Sequence, residues 1–225
     1  MILQGIPPVH VELKRNARAR RMTLRVSRLD GRVTLSVPKR LKETEARAFA
    51  EEKATWIRQQ LEGRPEIQTP QIGVPMLFEG RTYPVIAGTG RAAKFTGDAF
   101  SVPGTADATP RKIAALLKLL ARDRLVAASD RYARALDVDY SAMQLRDTRS
   151  RWGSCSSQGK LMYSWRLIMA PPEVLNYVAA HEVAHRREMN HSQAFWDLVA
   201  QIYPDYAVPR RWLRENGNQL HAWQF

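Results

Sequence analysis

A chain of 225 residues, 44 % apolar and carrying a formal charge of +13, is long enough to bury a sizeable core as one domain or two small lobes. Its single cysteine, Cys155, excludes an internal disulfide, and no stretch approaches the roughly eighteen apolar residues that a transmembrane helix needs. Met1 and Ile2 run quickly into Pro7-Pro8 and then charges, so no secretory hydrophobic region is expected, no membrane partner is expected, and a reducing, cytoplasmic setting fits.

The charge is uneven. Residues 1–60 hold 14 Lys or Arg against 6 Asp or Glu, while residues 141–225 hold 10 against 7. A basic amino-terminal surface including Arg15, Arg25 and Arg32 is therefore a candidate polyanion contact, with nucleic acid as a candidate partner; the plainer reading is a solvated arginine-rich face.

In chain order, Val9, Val11 and Leu13 alternate with polar residues and predict a strand, with His10 a solvated or packed side chain on it. Met22, Leu24 and Val26, an Asp30-Gly31 turn, and Val33, Leu35 and Val37 predict a hairpin with one apolar face. Residues 42–61 predict one helix, with Trp56 as a core anchor. A breaker-rich connection over 63–75 leads into short strands at 76–78, 82–86, 93–95 and 100–102. The loop between Gly104 and Pro110 predicts the boundary between a strand-rich basic lobe, 1–104, and a helical lobe, 105–225, within an α+β fold that could also be one continuous domain.

The second half opens with a long helix over 111–136. Strands follow at 143–149 and 160–169 around the polar turn Arg151-Trp152-Gly153-Ser154-Cys155-Ser156-Ser157-Gln158-Gly159, and an open edge of this pair could lie beside the site and receive an extended substrate backbone. Cys155 is expected to be a small packed residue rather than a redox switch or an inhibitory ligand. A short basic helix near 210–214 and a loose tail holding His221 end the chain.

The chemistry concentrates between these elements. Pro171-Pro172-Glu173 suits a helix start, and the residues that follow are apolar around most of the circumference, which predicts a buried helix. It carries His181-Glu182-Val183-Ala184-His185. Histidines four apart on a helix reach one Zn²⁺, and the glutamate beside the first can take a proton from water at the metal. His191 is the preferred third ligand, swung back by a break at Asn190-His191-Ser192 with Ser192 capping a new helix; Glu188 and Asp197 are the nearest alternatives. Tyr163, Arg166 and Tyr206 are unranked candidates for a second electrophile. A closed structural zinc in a nucleic-acid-binding protein, or a zinc hydrolase of non-peptide substrates, are the rival readings.

Arg151 to Cys155, Trp165-Arg166-Leu167, Tyr177-Val178 ahead of the H-E-x-x-H, and Asn190-His191-Ser192 with Phe195-Trp196 together resemble the YgjP-like metallopeptidase family, which looks related to SprT-type proteases. The likeness runs from about residue 10 to 216. It implies a zincin-like metalloprotease core, zinc on His181, His185 and His191, Glu182 as general base, and a polypeptide substrate. Glu188 stands where the metzincin pattern has glycine, so the matching spacing of the third histidine does not imply metzincin membership.

Overall fold

Alternation along the amino-terminal strands places their apolar residues on one side of a sheet, as a period of two requires. The computed structural model describes residues 1–27, 31–62 and 66–225, which form two compact units, 1–66 and 67–225. In the first unit, β1 (Ile2–Leu3), β2 (Val9–Asn16), β3 (Thr23–Val26) and β4 (Val33–Pro38) assemble in the order β1-β2-β4-β3. The expected β3–β4 hairpin forms with Leu24 opposite Leu35 and Val26 opposite Val33, while β2 joins the far side of β4 in parallel. The Asp30 half of the expected turn lies outside the described residues.

Two helices, α1 (Glu43–Glu52) and α2 (Ala54–Glu62), replace the single helix expected over 42–61. The interruption is one residue, Lys53, at φ −91° and ψ 7°, and the Ile57 N–H still bonds to the Lys53 carbonyl at 2.9 Å. Ala46, Ala50 and Ile57 turn inward against Val11, Val33 and Leu35. Trp56 is 42 % exposed rather than a core anchor, because Ile57 occupies the inward position in α2.

The second unit begins with β5 (Met76–Phe78) and β6 (Arg81–Tyr83), joined through Glu79 and Gly80 at φ 45° and 76°. Glycine is required at 80 for a second reason: a β-carbon there would lie 2.8 Å from the Pro171 ring. The Glu79 and Gly80 N–H groups bond to the Ile168 and Met169 carbonyls, so this turn buttresses the start of the histidine-bearing helix. Three further strands, β7 (Val85–Gly88), β8 (Lys94–Phe95) and β9 (Phe100–Pro103), form a sheet in the order β7-β9-β8.

After them comes α3 (Thr109–Leu136), with Pro110 in its first turn and left-handed Asp137 ending it at φ 50°. Across the expected boundary at Gly104–Pro110, Phe78, Phe100 and Val102 share one core with Ile113 and Leu117 of α3 and with the helices beyond. The division between the two compact units falls after Glu66.

β10 (Ala142–Arg146), β11 (Gly153–Cys155) and β12 (Lys160–Ser164) follow in the order β10-β12-β11. β10 runs parallel to β12 and β11 antiparallel to it, so the hairpin is β11–β12 and β11 is an edge. The strand expected to reach 169 stops at Ser164, and residues 165–169 wind into a buried 3₁₀ turn before α4 (Pro172–Ala184). Then come α5 (Gln193–Ile202) and α6 (Ala207–Ala222).

The expected loose tail is instead docked. α6 continues through His221, and Trp223, 5 % exposed, bridges to Gln68. The Gln224 N–H bonds to the Gln68 carbonyl at 2.8 Å, and the Arg166 guanidinium donates to the Leu220 and Trp223 carbonyls at 2.9 and 2.8 Å. Among the described residues no helix is long and apolar enough to cross a membrane.

Candidate metal centre

The helix α4 is buried because it is apolar nearly all round: Val174, Leu175, Val178, Ala179, Ala180, Val183 and Ala184 are all enclosed. Its first turn uses Pro172, whose missing N–H would have had no helical partner. His181 and Glu182 lie in its last turn and His185 caps it at φ −63° and ψ −11°. The chain then folds back. Arg186 and Arg187 N–H groups bond to the Val183 and Ala184 carbonyls, the Asn190 side-chain oxygen accepts from Ser192 N–H at 2.8 Å, and Ser192 Oγ accepts from Phe195 N–H at 3.5 Å as the cap of α5. This is the predicted break, and it returns His191 to the other two imidazoles. The three candidates therefore come from the body of α4, its cap, and the connection to α5, not from a single helix.

His181 Nε2 and His191 Nε2 stand 3.1 Å apart, and one ligand atom from each of His181, His185 and His191 lies within 4.8 Å of the others. Two nitrogens bound tetrahedrally to one zinc would be about 3.3 Å apart, given zinc–nitrogen bonds of about 2.0–2.1 Å, so the spacing suits that ion. His185 Nδ1 is 2.9 Å from the Glu188 carbonyl oxygen; donating there fixes the tautomer that leaves Nε2 with its lone pair. An all-nitrogen donor set of neutral imidazoles is chemistry that zinc accepts readily.

Burial, then the neighbouring His185, His191 and Arg210, pushes His181 down to about 3. Burial also lowers His185, against the opposing pull of its bond to Glu188. Both rings are thus held neutral near pH 7, the form a metal requires. Phe195, fully buried, packs on all three rings at centroid distances of 4.9, 4.5 and 4.8 Å. Trp196 stacks on His191 at 5.9 Å, and Tyr206 stacks on Trp196 at 5.3 Å.

Glu182 is 5 % exposed and faces β11. A β-carbon on Gly153 would come 2.5 Å from Glu182 Oε1 and 2.6 Å from its Cγ, so only glycine leaves room for this carboxylate. Burial pushes its carboxyl up to about 8, with the Arg151 charge pulling the other way. A cleft of about 230 Å³ opens here, walled by Trp152, Gly153, Tyr177, Val178 and Leu213 and floored by His181 and Glu182. The neighbouring Trp152 packs in a tilted arrangement on His221 at 4.8 Å and against Gly217, where a β-carbon would come within 2.9 Å of the indole. The Arg151-Trp152-Gly153 motif therefore brings a charge toward Glu182, anchors α6, and clears space for the carboxylate.

The other sequence candidates are distributed differently. Tyr163 is fully buried in β12, and its hydroxyl shares a 3.0 Å hydrogen bond with Ser129. Arg166 is committed to Asp147, at 2.6 and 3.1 Å, as well as to the two carbonyls that hold the tail. Of the three proposed electrophiles, only Tyr206 joins the aromatic wall beside the histidines. Glu188 contributes its carbonyl to His185, while its carboxylate accepts from Asn190 N–H at 3.5 Å. Asp197 accepts from the Gln193 side chain at 2.8 Å. Cys155 is half-buried on β11 with its thiol on the Ser156 carbonyl at 3.4 Å, and burial pushes that thiol up.

Arg15 and Arg25 do not share a face. Arg15 is paired with Val37, on the side where Leu13 meets Leu35, and donates to the Lys39 and Leu41 carbonyls at 3.0 and 2.7 Å. Arg25 is exposed opposite Thr34, on the outer side, and Arg32 is exposed just before β4. His10 is exposed on β2.

Two residues at the site carry no functional role in the sequence reading. Tyr177, four residues ahead of His181 and on its helical face, lines the cleft with its hydroxyl pushed up to about 12 by burial. Arg210 lies over the Trp196 ring at 4.2 Å; its signal was only membership of a basic helix.

Residues 20–216 match the family described as YgjP-like, metallopeptidase domain. A solved structure, described as the crystal structure of the metallopeptidase zymogen of Pyrococcus abyssi abylysin, is similar over 40 % of this chain and 93 % of that one, with 17 % identity and a TM-score of 0.37. No curated protein matches the chain.

Proposed function

The chain belongs to the YgjP-like metallopeptidase family, and from that premise we propose that it is a zinc-dependent peptidase with a zincin-like core, hydrolysing peptide bonds with Glu182 as general base. The observation that carries this reading is the convergence of three imidazoles, from His181, His185 and His191, beside the buried Glu182 carboxylate. Zinc held by these three rings would supply Lewis acidity toward a carbonyl oxygen and make a water acidic enough to be deprotonated near neutral pH.

The chain's own groups do the rest. Glu182 takes the proton of the attacking water and returns it to the leaving amine. Its burial raises its proton affinity, which suits the second task, and a dication nearby favours the ionised form needed for the first. The outer side of β11 offers backbone groups to which an extended polypeptide can add as a strand, alongside the cleft containing His181 and Glu182. Tyr206 is the electrophile we assign among the three candidates, because it alone lies on the wall formed by Trp196.

The test is Glu182→Gln, which removes the proton acceptor without touching an assigned ligand. Unfolded polypeptides, with and without DNA, are incubated with each protein and cleavage is followed by mass. The expected result is retained zinc and a rate loss on the order of 10²–10⁴-fold. Undiminished cleavage by the metal-loaded variant would remove the general-base mechanism. Four protein ligands on the metal, with no site left for water, would instead favour the structural-zinc reading.

A further inference from the structure

The first unit contains a groove that the chemistry at the histidines does not use. The layer formed by α1 and α2 overhangs the sheet at β3, leaving a trough of about 540 Å³. Its apolar lining is Met22, just ahead of β3, Leu24 of β3, and Phe49 and Trp56 from the helices, with Arg21 and Lys53 at the margins. Trp56, 42 % exposed, shows solvent a large apolar surface that a folded chain ordinarily covers.

β3 is also the last strand of its sheet, and no described strand pairs with its outer side. Its outward N–H and C=O groups, without a backbone partner among the described residues, run beside the apolar trough. An edge strand bordering a helix-walled groove is the arrangement by which a polypeptide segment docks, with main-chain hydrogen bonds to the edge and alternate side chains in the groove. A DNA strand offers phosphate acceptors but no backbone donors to match the alternating N–H and C=O groups of that edge.

The margins decide the sign of the ligand. Arg21 has no acidic partner among the described residues, and Arg25 is exposed on the outer face of β3, to which the polar alternate residues of an added strand would point. Lys53 pairs with Glu52 at 2.8 Å, but both side chains are largely solvated, so that pair is worth little and exchanges readily. We infer that this groove is a docking site for an extended polypeptide in which apolar residues alternate with acidic ones, bound as an added strand on β3 and separate from the site where peptide bonds would be cut.

The probe is a fluorescein-labelled, acetylated ten-residue peptide alternating glutamate with valine or leucine. A lysine-for-glutamate version and oligo(dT) serve as comparisons. Full-length Glu182→Gln protein is used so that the probe is not consumed, and metal is removed in a parallel sample. The acidic peptide should bind with or without metal, and at least tenfold more tightly than its lysine version. Trp56→Ala and the double change Arg21→Gln with Lys53→Gln should each weaken it at least tenfold, with circular dichroism showing retained fold. Amide exchange on β3 should slow when the peptide is bound. No binding, equal binding of the lysine peptide, binding that survives Trp56→Ala, or a preference for oligo(dT) would each overturn the inference. Because metal-free protein is included, none of these results depends on the peptidase reading.

Discussion

Gly153 and Glu182 face each other across the β11–α4 contact so closely that the hydrogen replacing a side chain at 153 is what the carboxylate rests against. The backbone at Gly153 does not need the left-handed region, so the requirement is space and not conformation. Gly153→Ala should therefore fold, keep its metal ligands, and push the Glu182 carboxylate off its position. The expected outcome is a protein with wild-type zinc content whose cleavage rate falls toward that of Glu182→Gln. A displacement of about 1 Å at a reacting group can cost on the order of 10²-fold. Full activity in a folded Gly153→Ala protein would show that the carboxylate has more freedom than the contact indicates.

His191 is the ligand candidate most dependent on tertiary structure, since it is exposed and lies between two helices. His191→Ala should lower zinc affinity by more than the roughly 10–100-fold that loss of an outer partner costs. Phe195→Ala should act differently. It leaves all three donors but removes the ring on which they pack, opening a cavity at a fully buried position that costs about 3–5 kcal/mol. Thermal unfolding with and without zinc separates the two: His191→Ala should lose the stabilisation that zinc confers, whereas Phe195→Ala should lower the midpoint in both conditions. Unchanged zinc content in His191→Ala would move the third-ligand assignment elsewhere.

The parts of this site legible in the sequence were those set by local chemistry. Apolar residues on every side of 174–184 marked a buried helix, and Ser192 marked the next helix start, so the return of His191 followed from two local signals. Distant contacts were not legible. Nothing near Arg166 announces that its partners are Asp147 and the carbonyls at 220 and 223, and nothing in the tail announces its pairing with Gln68. The core shared across residues 104–108 was hidden for the same reason: that loop reads as a linker in the sequence, while Phe78 and Phe100 pack in one core with α3. Trp56 shows the reverse error: adjacent Ile57 takes the inward position in α2, and the indole is left 42 % exposed.

The docked carboxyl-terminal helix makes the last prediction, one about acid. His221 is pushed down to about 4 from an ordinary 6.5, first by burial and then by the Arg166 charge, with Asp147 opposing and Arg149 adding. Its neutral ring packs on Trp152, and protonation would place a buried cation close to two guanidinium groups. The folded state thus binds fewer protons here than the unfolded chain between about 4 and 6.5, and linkage gives the sign. The contribution is complete above pH 6.5 and is lost as pH falls through that window. His221→Gln removes the titrating group while keeping a polar side chain of similar reach. Its unfolding midpoint should be lower than wild type at pH 7.5, from the lost ring contact, but should fall less steeply between pH 6.5 and 4. Asp147, held down by Arg166, titrates below its ordinary 3.8 and stays out of this interval. The measurement is the midpoint of thermal unfolding against pH for the two proteins at equal zinc loading, so that the metal-site histidines contribute equally to both. Parallel curves from pH 6.5 to 4 would show that His221 carries none of the acid sensitivity, and that its packing against Trp152 survives protonation.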